Sequence, residues 1–558
     1  MSTLPVLIAG AGPTGLMLAI SLAKHGIEHR IVDANPERSP LSRALAVHAR
    51  TLEILDSYGI AADLVARGRQ LSGASMYAEG RLIVRADFDE LDTRFPFLLC
   101  LPQSETEAVL EGLLVRSGSV VERSTKLVDL DSGEAGVGCR LLRPDGSEET
   151  LRARWVVGAD GAHSAVRKAA RLAFPGHRYP EAFWLADADI EWDVSDRRVT
   201  TFFSSEGLLA CFPLPSGQMR VVASTPEGAG EGDPTDSDVE ELLRRRSGQE
   251  VRIAGSSWRA RFAIHCRQVE RYRAGRVFLA GDAAHVHSPL GGQGMNTGMQ
   301  DAHNLAWKLA LVEKGLAGNA LLESYEAERH RVGEELLRAT DIATRVATIQ
   351  SPLGRRVRDR VTEFLASMEV VQERVTRRVA ELDLAYEKSP IVGEFRSSLW
   401  RARFGDDEEE ESPTVTAWLS FDAAPRPGQR APDGLARDPE GHPVRLSELW
   451  QPTRHTLLLF DGRASTRQGY EDLSRVARTV RERHGDVVAS VVVVADSMIP
   501  EALAWDGVTI LDPEGDLEYR YGARAECLYL VRPDLYLGYR SQPAALEPLL
   551  AYLDDVLS

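Results

Sequence analysis

Pro5-Val-Leu-Ile-Ala9-Gly10-Ala-Gly12-Pro13-Thr14-Gly15 reads as a buried strand running into a glycine turn and then a helix. Each glycine of this G-x-G-x-x-G has its own task. Gly10 permits a tight turn, Gly12 lets the backbone approach a pyrophosphate, and Gly15 lets the helix pack close to the strand. Pro13 and Thr14 open the helix, whose N-terminal N–H groups and partial positive charge suit phosphate. A second strand, Glu28-His-Arg-Ile-Val-Asp33, follows the helix. Asp33 at its end is placed to accept hydrogen bonds from a ribose hydroxyl, so the unit predicts dinucleotide binding. An acid there disfavours a 2′-phosphate, so the tightly held ligand is not NADP. Strand, glycine turn, helix and strand together predict a doubly wound parallel sheet.

Further on, helical periodicity recurs over 47–58 and 105–116, and a short strand pair over 126–130 and 139–142 closes at Pro144-Asp-Gly146. The strand 153–158 then enters Val156-Val-Gly-Ala-Asp160-Gly161-Ala-His-Ser164, where Asp160 reads as a helix cap. Over 183–262 the alternating segments 198–204, 208–214 and 219–224 predict an inserted antiparallel sheet. Arg276-Val-Phe-Leu-Ala280 resumes the parallel texture. It leads into Gly281-Asp282-Ala-Ala-His285-Val-His287-Ser-Pro289-Leu-Gly291-Gly292-Gln-Gly294-Met295-Asn296 and a helix. Here Asp282 can hydrogen-bond a polyol, Gly291, Gly292 and Gly294 can present backbone N–H groups to a flat ligand, and the helix start adds positive potential. His285 and His287, spaced i, i+2 with no third ligand nearby, do not make a metal site. No metal is expected elsewhere.

The chain has 558 residues, 43% of them hydrophobic and 27% charged, which fits a globular protein of several domains. Its formal net charge of −17 disfavours a nucleic-acid partner. Five cysteines without a C-x-x-C pair suit reduced, buried thiols. The apolar stretch 6–23 holds glycines and a proline and lacks a basic start, so it is not read as a signal peptide, and no run suits a membrane span. A cytoplasmic protein without a membrane partner is expected. The expected domains are 1–180, the cofactor domain; 181–265, the inserted sheet; 266–400, the rest of the cofactor domain with a helical segment; 401–424, a linker containing the six acids at 406–411; and 425–558, a small α/β domain.

These three glycine-bearing motifs, in this order over residues 1 to 345, resemble those of the group A flavoprotein monooxygenases, the aromatic hydroxylases, and most closely the longer phenol and polyketide hydroxylases. Leu382-Asp-Leu-Ala-Tyr386 with Ser389-Pro390 is similar to their post-helical segment. The tail, with Tyr529-Leu-Val-Arg532-Pro-Asp534 and Gly538-Tyr-Arg540, is similar to their thioredoxin-like C-terminal domain, here without C-x-x-C and therefore expected to be redox-inert. The resemblance implies a Rossmann-like FAD domain with an inserted antiparallel substrate sheet. It implies that Arg43 lies near the flavin, Gln103 contacts FAD, the Leu127 backbone meets the adenine, Asp160 touches the FAD phosphates and the NAD(P)H path, and Pro289 lines the flavin ring. Phe212, Leu214 and Arg220 of the inserted sheet are the candidate substrate contacts. The implied activity is hydroxylation of an aromatic, phenolic or polyketide substrate through a flavin C4a-hydroperoxide, consuming O2 and either NADPH or NADH, by a monomer or homodimer. No second G-x-G-x-x-G follows a strand, so the nicotinamide cofactor visits without its own Rossmann domain. Baeyer–Villiger oxygenation on the same scaffold and a flavin-binding protein without turnover stay open. No W-x-W-x-I-P segment supports a halogenase, and no catalytic base is identified.

Overall fold

The structure is a computed structural model describing residues 3–40, 42, 44–226, 228–288, 291–347, 376–396, 413–462 and 467–557, with side chains at 343–347 and 413–415 left aside. It divides into two compact units, Met1–His303 with Arg329–Leu382, and Asn304–Glu328 with Asp383–Ser558. Among the described residues no helix is long and apolar enough to cross a membrane.

In the first unit, Leu4–Ala9 pairs in parallel with His29–Val32 on one side and Glu148–Gly158 on the other. Val121–Glu122 and Val277–Leu279 extend this sheet outward, also in parallel. Val6, Leu7 and Ile8 are fully buried, as a central strand covered on both faces requires. The Pro13–Lys24 helix starts with proline at its first position, where the missing N–H costs no intrahelical bond. Glu148–Gly158 also carries an antiparallel ladder with Gly136–Leu142, which pairs in turn with Lys126–Gly133.

The second sheet of this unit is antiparallel apart from one pairing. Its order is His285–Val286, Arg252–Gln268, Gly176–Glu191, Met219–Ser224, Gly207–Pro213, Arg198–Ser204, Gly73–Ala78 and Arg81–Asp87. The last two strands come from outside the segment read as the inserted sheet. They form a hairpin at Glu79-Gly80, both at positive φ as a two-residue type I′ loop needs. Strand alternation splits the sheet into two faces. Trp184, Ala186, Phe202, Leu209, Cys211, Val221 and Ala223 pack with Val239, Leu242 and Leu243 of the Asp236–Ser247 helix. That helix begins with a reciprocal Thr235–Asp238 capping box. The other face carries Leu185, Asp187, Ala210, Phe212, Arg220 and Val222, matched across neighbouring strands by register.

The second unit is built on a sheet in which His455–Gly462 pairs in parallel with Val488–Val494 and antiparallel with Ala525–Val531, which pairs with Leu537–Gln542. The Arg467–His484 helix connects the parallel pair and Leu546–Leu557 follows the antiparallel one. This βαβ and ββα order is that of the thioredoxin fold. The unit takes in 304–328 and 383–424 besides the expected 425–558 segment. Part of the segment expected as a linker is helical, Pro413–Ala423, while the acids at 406–411 lie outside the described residues.

A fully buried charge cluster holds this unit together. Glu328 accepts from Lys308 at 2.7 Å, from Arg532 at 2.6 and 2.9 Å, from Asn304 at 2.7 Å and from Ser389 at 2.6 Å. Asp534 takes the second edge of Arg532. Two cations and two carboxylates cancel, and the added hydrogen bonds offset the desolvation each charge suffers. Even so, burial pushes the Lys308 ammonium down to about 8.

Cys527 is fully buried opposite Phe460, and burial raises its thiol pKa well above the ordinary value. No second cysteine exists between residues 420 and 558, so a dithiol cycle has no partner sulfur. On the activity that the resemblance implies, Cys527→Ser should leave substrate-dependent NAD(P)H oxidation by the folded protein within about twofold. A large loss of turnover in the folded, FAD-replete variant would refute the redox-inert reading.

Candidate functional site

At the carboxyl end of Leu4–Ala9 the three glycines behave differently. Gly10 has φ +102°, and a side chain there would meet the Ala159 carbonyl at 2.3 Å. A methyl group on Gly15 would sit 1.9 Å from the Gly10 carbonyl oxygen. Beside Gly12 a Cβ would meet nothing within 4 Å. Two closed glycines flanking an open one make a cradle in which a ligand can touch backbone at Gly12, as a pyrophosphate requires. Asp33 follows the His29–Val32 strand. Its carboxylate is fixed by the Ala11 N–H at 2.7 Å and the Asn35 N–H at 2.8 Å.

The third motif closes on the first through Thr14. A Cβ on Gly281 would lie 2.6 Å from the Thr14 hydroxyl oxygen, and one on Gly298 would lie 2.3 Å from it. Thr14 therefore fits only because both neighbours lack side chains. The Gly281 N–H donates to Asp301 Oδ2 at 3.0 Å, and His285 Nε2 donates to the same oxygen at 2.9 Å. Arg329 Nε reaches Asp301 Oδ1 at 2.6 Å, and its Nη2 reaches the Thr297 carbonyl at 3.1 Å. Asp301 and Arg329 are both fully buried, and Arg329 with His285 holds the carboxyl below its usual range against the desolvation that would raise it. The exposed Asp282 projects from the Gly281–Ala283 turn above this network.

Asn296 pins the glycine loop. Its oxygen accepts the His48 N–H at 3.0 Å, and its amide donates to the Ala46 carbonyl at 2.8 Å and the Gly292 carbonyl at 3.0 Å. Gly291 and Gly292 take positive φ, and Gly294 and the buried Met295 begin the helix to Glu313. His287 donates from Nδ1 to the Ser288 carbonyl at 2.8 Å, and burial pushes its imidazole down to about 4, keeping it neutral. Pro289 and Arg43 lie outside the described residues.

Asp160 caps, as its place in the turn suggested: Oδ2 accepts the Ala165 and Val166 N–H groups at 2.6 and 3.2 Å. Its buried Oδ1 has no partner, which leaves an acceptor for a ligand. Gln103 joins the loop around Ser42 to the Gln103–Arg116 helix: its N–H donates to Ser42 Oγ at 2.5 Å and its amide to Glu107 at 2.8 Å. Leu127 is buried in the outer ladder, opposite Leu141.

On the sheet face away from the Asp236–Ser247 helix, Phe212 is half-buried and Leu214 buried just past its strand. Arg220, expected as a substrate contact, is buried and bonded to protein partners. Its guanidinium makes a two-pronged pair with Asp187, 2.7 Å on each arm, and donates to the Ser42 carbonyl at 2.5 Å. Its partner Asp187 was not foreseen, because the two lie 33 positions apart and meet only through strand pairing.

Glu381, also unforeseen, is a buried acid at positive φ, bonded by Gln300 Nε2 at 2.5 Å. Burial pushes its carboxyl up to about 8, against the pull of Gln300, Arg329 and Arg50. Its folded pKa exceeds the unfolded value of about 4.3. The stability it contributes is therefore complete below that value and is lost as pH rises through about 8. Glu381→Gln should flatten the fall in thermal midpoint over this window. Parallel pH profiles for variant and wild type would contradict the assignment.

A family described as "FAD binding domain" matches residues 3–340. The chain is 35% identical over 570 residues to 6-methylpretetramide 4-monooxygenase of Streptomyces rimosus, covering 98% of this chain and 92% of that protein. It is 31% identical over 563 residues to pentachlorophenol 4-monooxygenase of Sphingobium chlorophenolicum, covering 99% and 96%. Among solved structures, the OxyS anhydrotetracycline hydroxylase from Streptomyces rimosus superposes with a TM-score of 0.73 at 28% identity, covering 99% of each chain.

Proposed function

The chain belongs to the flavoprotein aromatic hydroxylases that carry this FAD binding domain, and from that membership we propose that it uses NAD(P)H and O2 to hydroxylate a phenolic or polyketide aromatic ring. The observation that carries the reading is the joining of three distant motifs around one cradle, with Thr14 seated between Gly281 and Gly298. The relatives named for action on 6-methylpretetramide and on pentachlorophenol favour a substrate of that aromatic class.

FAD fits the donor set. The backbone at Gly12 is free to meet the pyrophosphate, Asp33 to hold the ribose, and Asp282 to hold the ribitol chain. Arg43, Gln103, Leu127, Asp160 and Pro289 complete the contacts we assign to it. When bound, FAD supplies two-electron chemistry with the nicotinamide and oxygen activation at the isoalloxazine C4a position. The N–H groups at the start of the Gly294–Glu313 helix would stabilise negative charge on the flavin pyrimidine edge. Phe212 and Leu214 would line the substrate chamber, and the Arg220–Asp187 pair would hold its wall to the Ser42 loop. Closing such a chamber excludes water from the reacting edge.

Support for a nicotinamide partner comes from a basic patch beside Asp160-Gly161. Burial first, and then Arg267, Arg178 and His163, lower the His265 pKa, and Arg167 feels Arg267. Among the described residues neither Arg178 nor Arg267 meets a carboxylate, in a chain of net charge −17. Such a patch would draw the phosphates of a visiting dinucleotide.

The test is NAD(P)H oxidation screened across phenols and polycyclic aromatic polyketides, with product mass after turnover in isotopically labelled O2. Hydroxylation predicts substrate-dependent oxidation and a ring hydroxyl carrying one labelled atom. An inserted ester oxygen would show Baeyer–Villiger chemistry instead, and oxidation indifferent to every aromatic would count against the reading.

A further inference from the structure

We propose that His177, Cys266 and Asp341 form a binding site for a thiophilic divalent cation of the zinc class, independent of the flavin chemistry. His177 and Cys266 face each other across the register of Gly176–Glu191 and Arg252–Gln268. Asp341 reaches them from the Ala320–Ala347 helix, one turn beyond Leu337, which packs on the cluster containing Cys266 and Tyr179. The ligand atoms of all three residues lie within 4.8 Å of one another. His177 Nε2 is 3.6 Å from Asp341 Oδ1. With metal–ligand bonds of about 2.0–2.3 Å, tetrahedral ligands stand roughly 3.5 Å apart, so small side-chain rotations suffice.

The chemistry of the set is selective. A thiolate, an imidazole and a carboxylate together suit zinc and not magnesium or calcium, which require all-oxygen shells. Tyr179 donates its hydroxyl proton to Asp341 Oδ1 at 2.6 Å and braces the carboxylate as an outer-shell partner does. His177 is exposed and Cys266 buried, so the fourth position opens toward solvent and takes water. The neighbouring side chains of Arg178, His265 and Arg267 do not crowd the site. Strand alternation turns all three to the opposite face of the same strand pair. Binding replaces the Cys266 S–H bond with an S–metal bond and releases the proton to solvent.

The test uses the full-length, FAD-replete protein, stripped of metal with a chelator and titrated with zinc(II) by calorimetry. One equivalent should bind, with proton release that increases at lower pH. His177→Gln, at an exposed position that folding tolerates, and Asp341→Asn should each weaken binding by about tenfold or more. Cobalt(II) should give a thiolate-to-metal charge-transfer band in the difference spectrum, absent in Cys266→Ser. Flavin absorbance and retention report folding for each variant. Absence of stoichiometric binding in the wild type, or variants that bind like the wild type, would overturn the site.

Discussion

Gly15→Ala should purify largely without flavin. The added methyl group would stand 1.9 Å from the Gly10 carbonyl oxygen, a distance no Cβ tolerates, and the obstacle is backbone. Either the Pro13–Lys24 helix moves away from Leu4–Ala9 or the turn at Gly10 opens. Both displace the open backbone at Gly12. Overpacking of this kind costs about 1–3 kcal/mol. Since about 1.4 kcal/mol is tenfold in affinity, FAD should bind roughly 5- to 150-fold more weakly. The control is Gly12→Ala, whose methyl group meets no protein atom within 4 Å and can disturb only the ligand. If FAD titration of the Gly15→Ala apoprotein returned the wild-type dissociation constant, the close packing of this turn would be disproved.

Arg329→Met is expected to produce the largest loss of stability. It removes the arginine that pairs with Asp301 at 2.6 Å and leaves a carboxylate buried with only the Gly281 N–H and His285. Breaking one side of a buried pair costs about 3–5 kcal/mol. The pH dependence has a definite sign. Arg329 and His285 hold the Asp301 carboxyl below its ordinary value, so the pair's contribution is present above the unfolded pKa of about 3.9 and is lost as pH falls below it. In the variant Asp301 loses its main support, so acid should destabilise it less steeply than the wild type. Denaturant unfolding at neutral pH and below about pH 4 measures both effects. A midpoint unchanged at neutral pH would mean that this buried pair carries no weight.

The parallel sheet and its turns were legible because their determinants are local. The run before Gly10, the spacing of Gly10, Gly12 and Gly15, and the acid at Asp33 all fall within a few dozen residues. Strands over 198–204, 208–214 and 219–224 were readable from alternation alone, and they stand at Arg198–Ser204, Gly207–Pro213 and Met219–Ser224. The hairpin over 73–87 went unread although it carried a signal, a two-residue Glu79-Gly80 loop between alternating segments. What pattern could not show is partnership at long range. Arg220 was named as a substrate contact for its place in the inserted sheet, and only strand pairing brings Asp187 to it. Asp301 stood inside the quoted motif's helix without a role, since Arg329 lies a helix away. Glu381 gave no cue, because its perturbation comes from burial.

The seat of Thr14 between Gly281 and Gly298 also has a consequence for biogenesis. The nucleotide half of the cradle, from Gly10 to Asp33, leaves the ribosome early, but its lid is encoded some two hundred and fifty residues later, beyond the whole antiparallel sheet. At about 5–20 residues per second, translation separates the two by tens of seconds. During that interval the Val277–Leu279 strand has not yet docked, and residues 156–158 of the parallel sheet lack the partner on that side. Nascent chains that end before Gly298 lack one of the two glycines that seat Thr14, so closure of the cradle waits for a contact of long sequence separation.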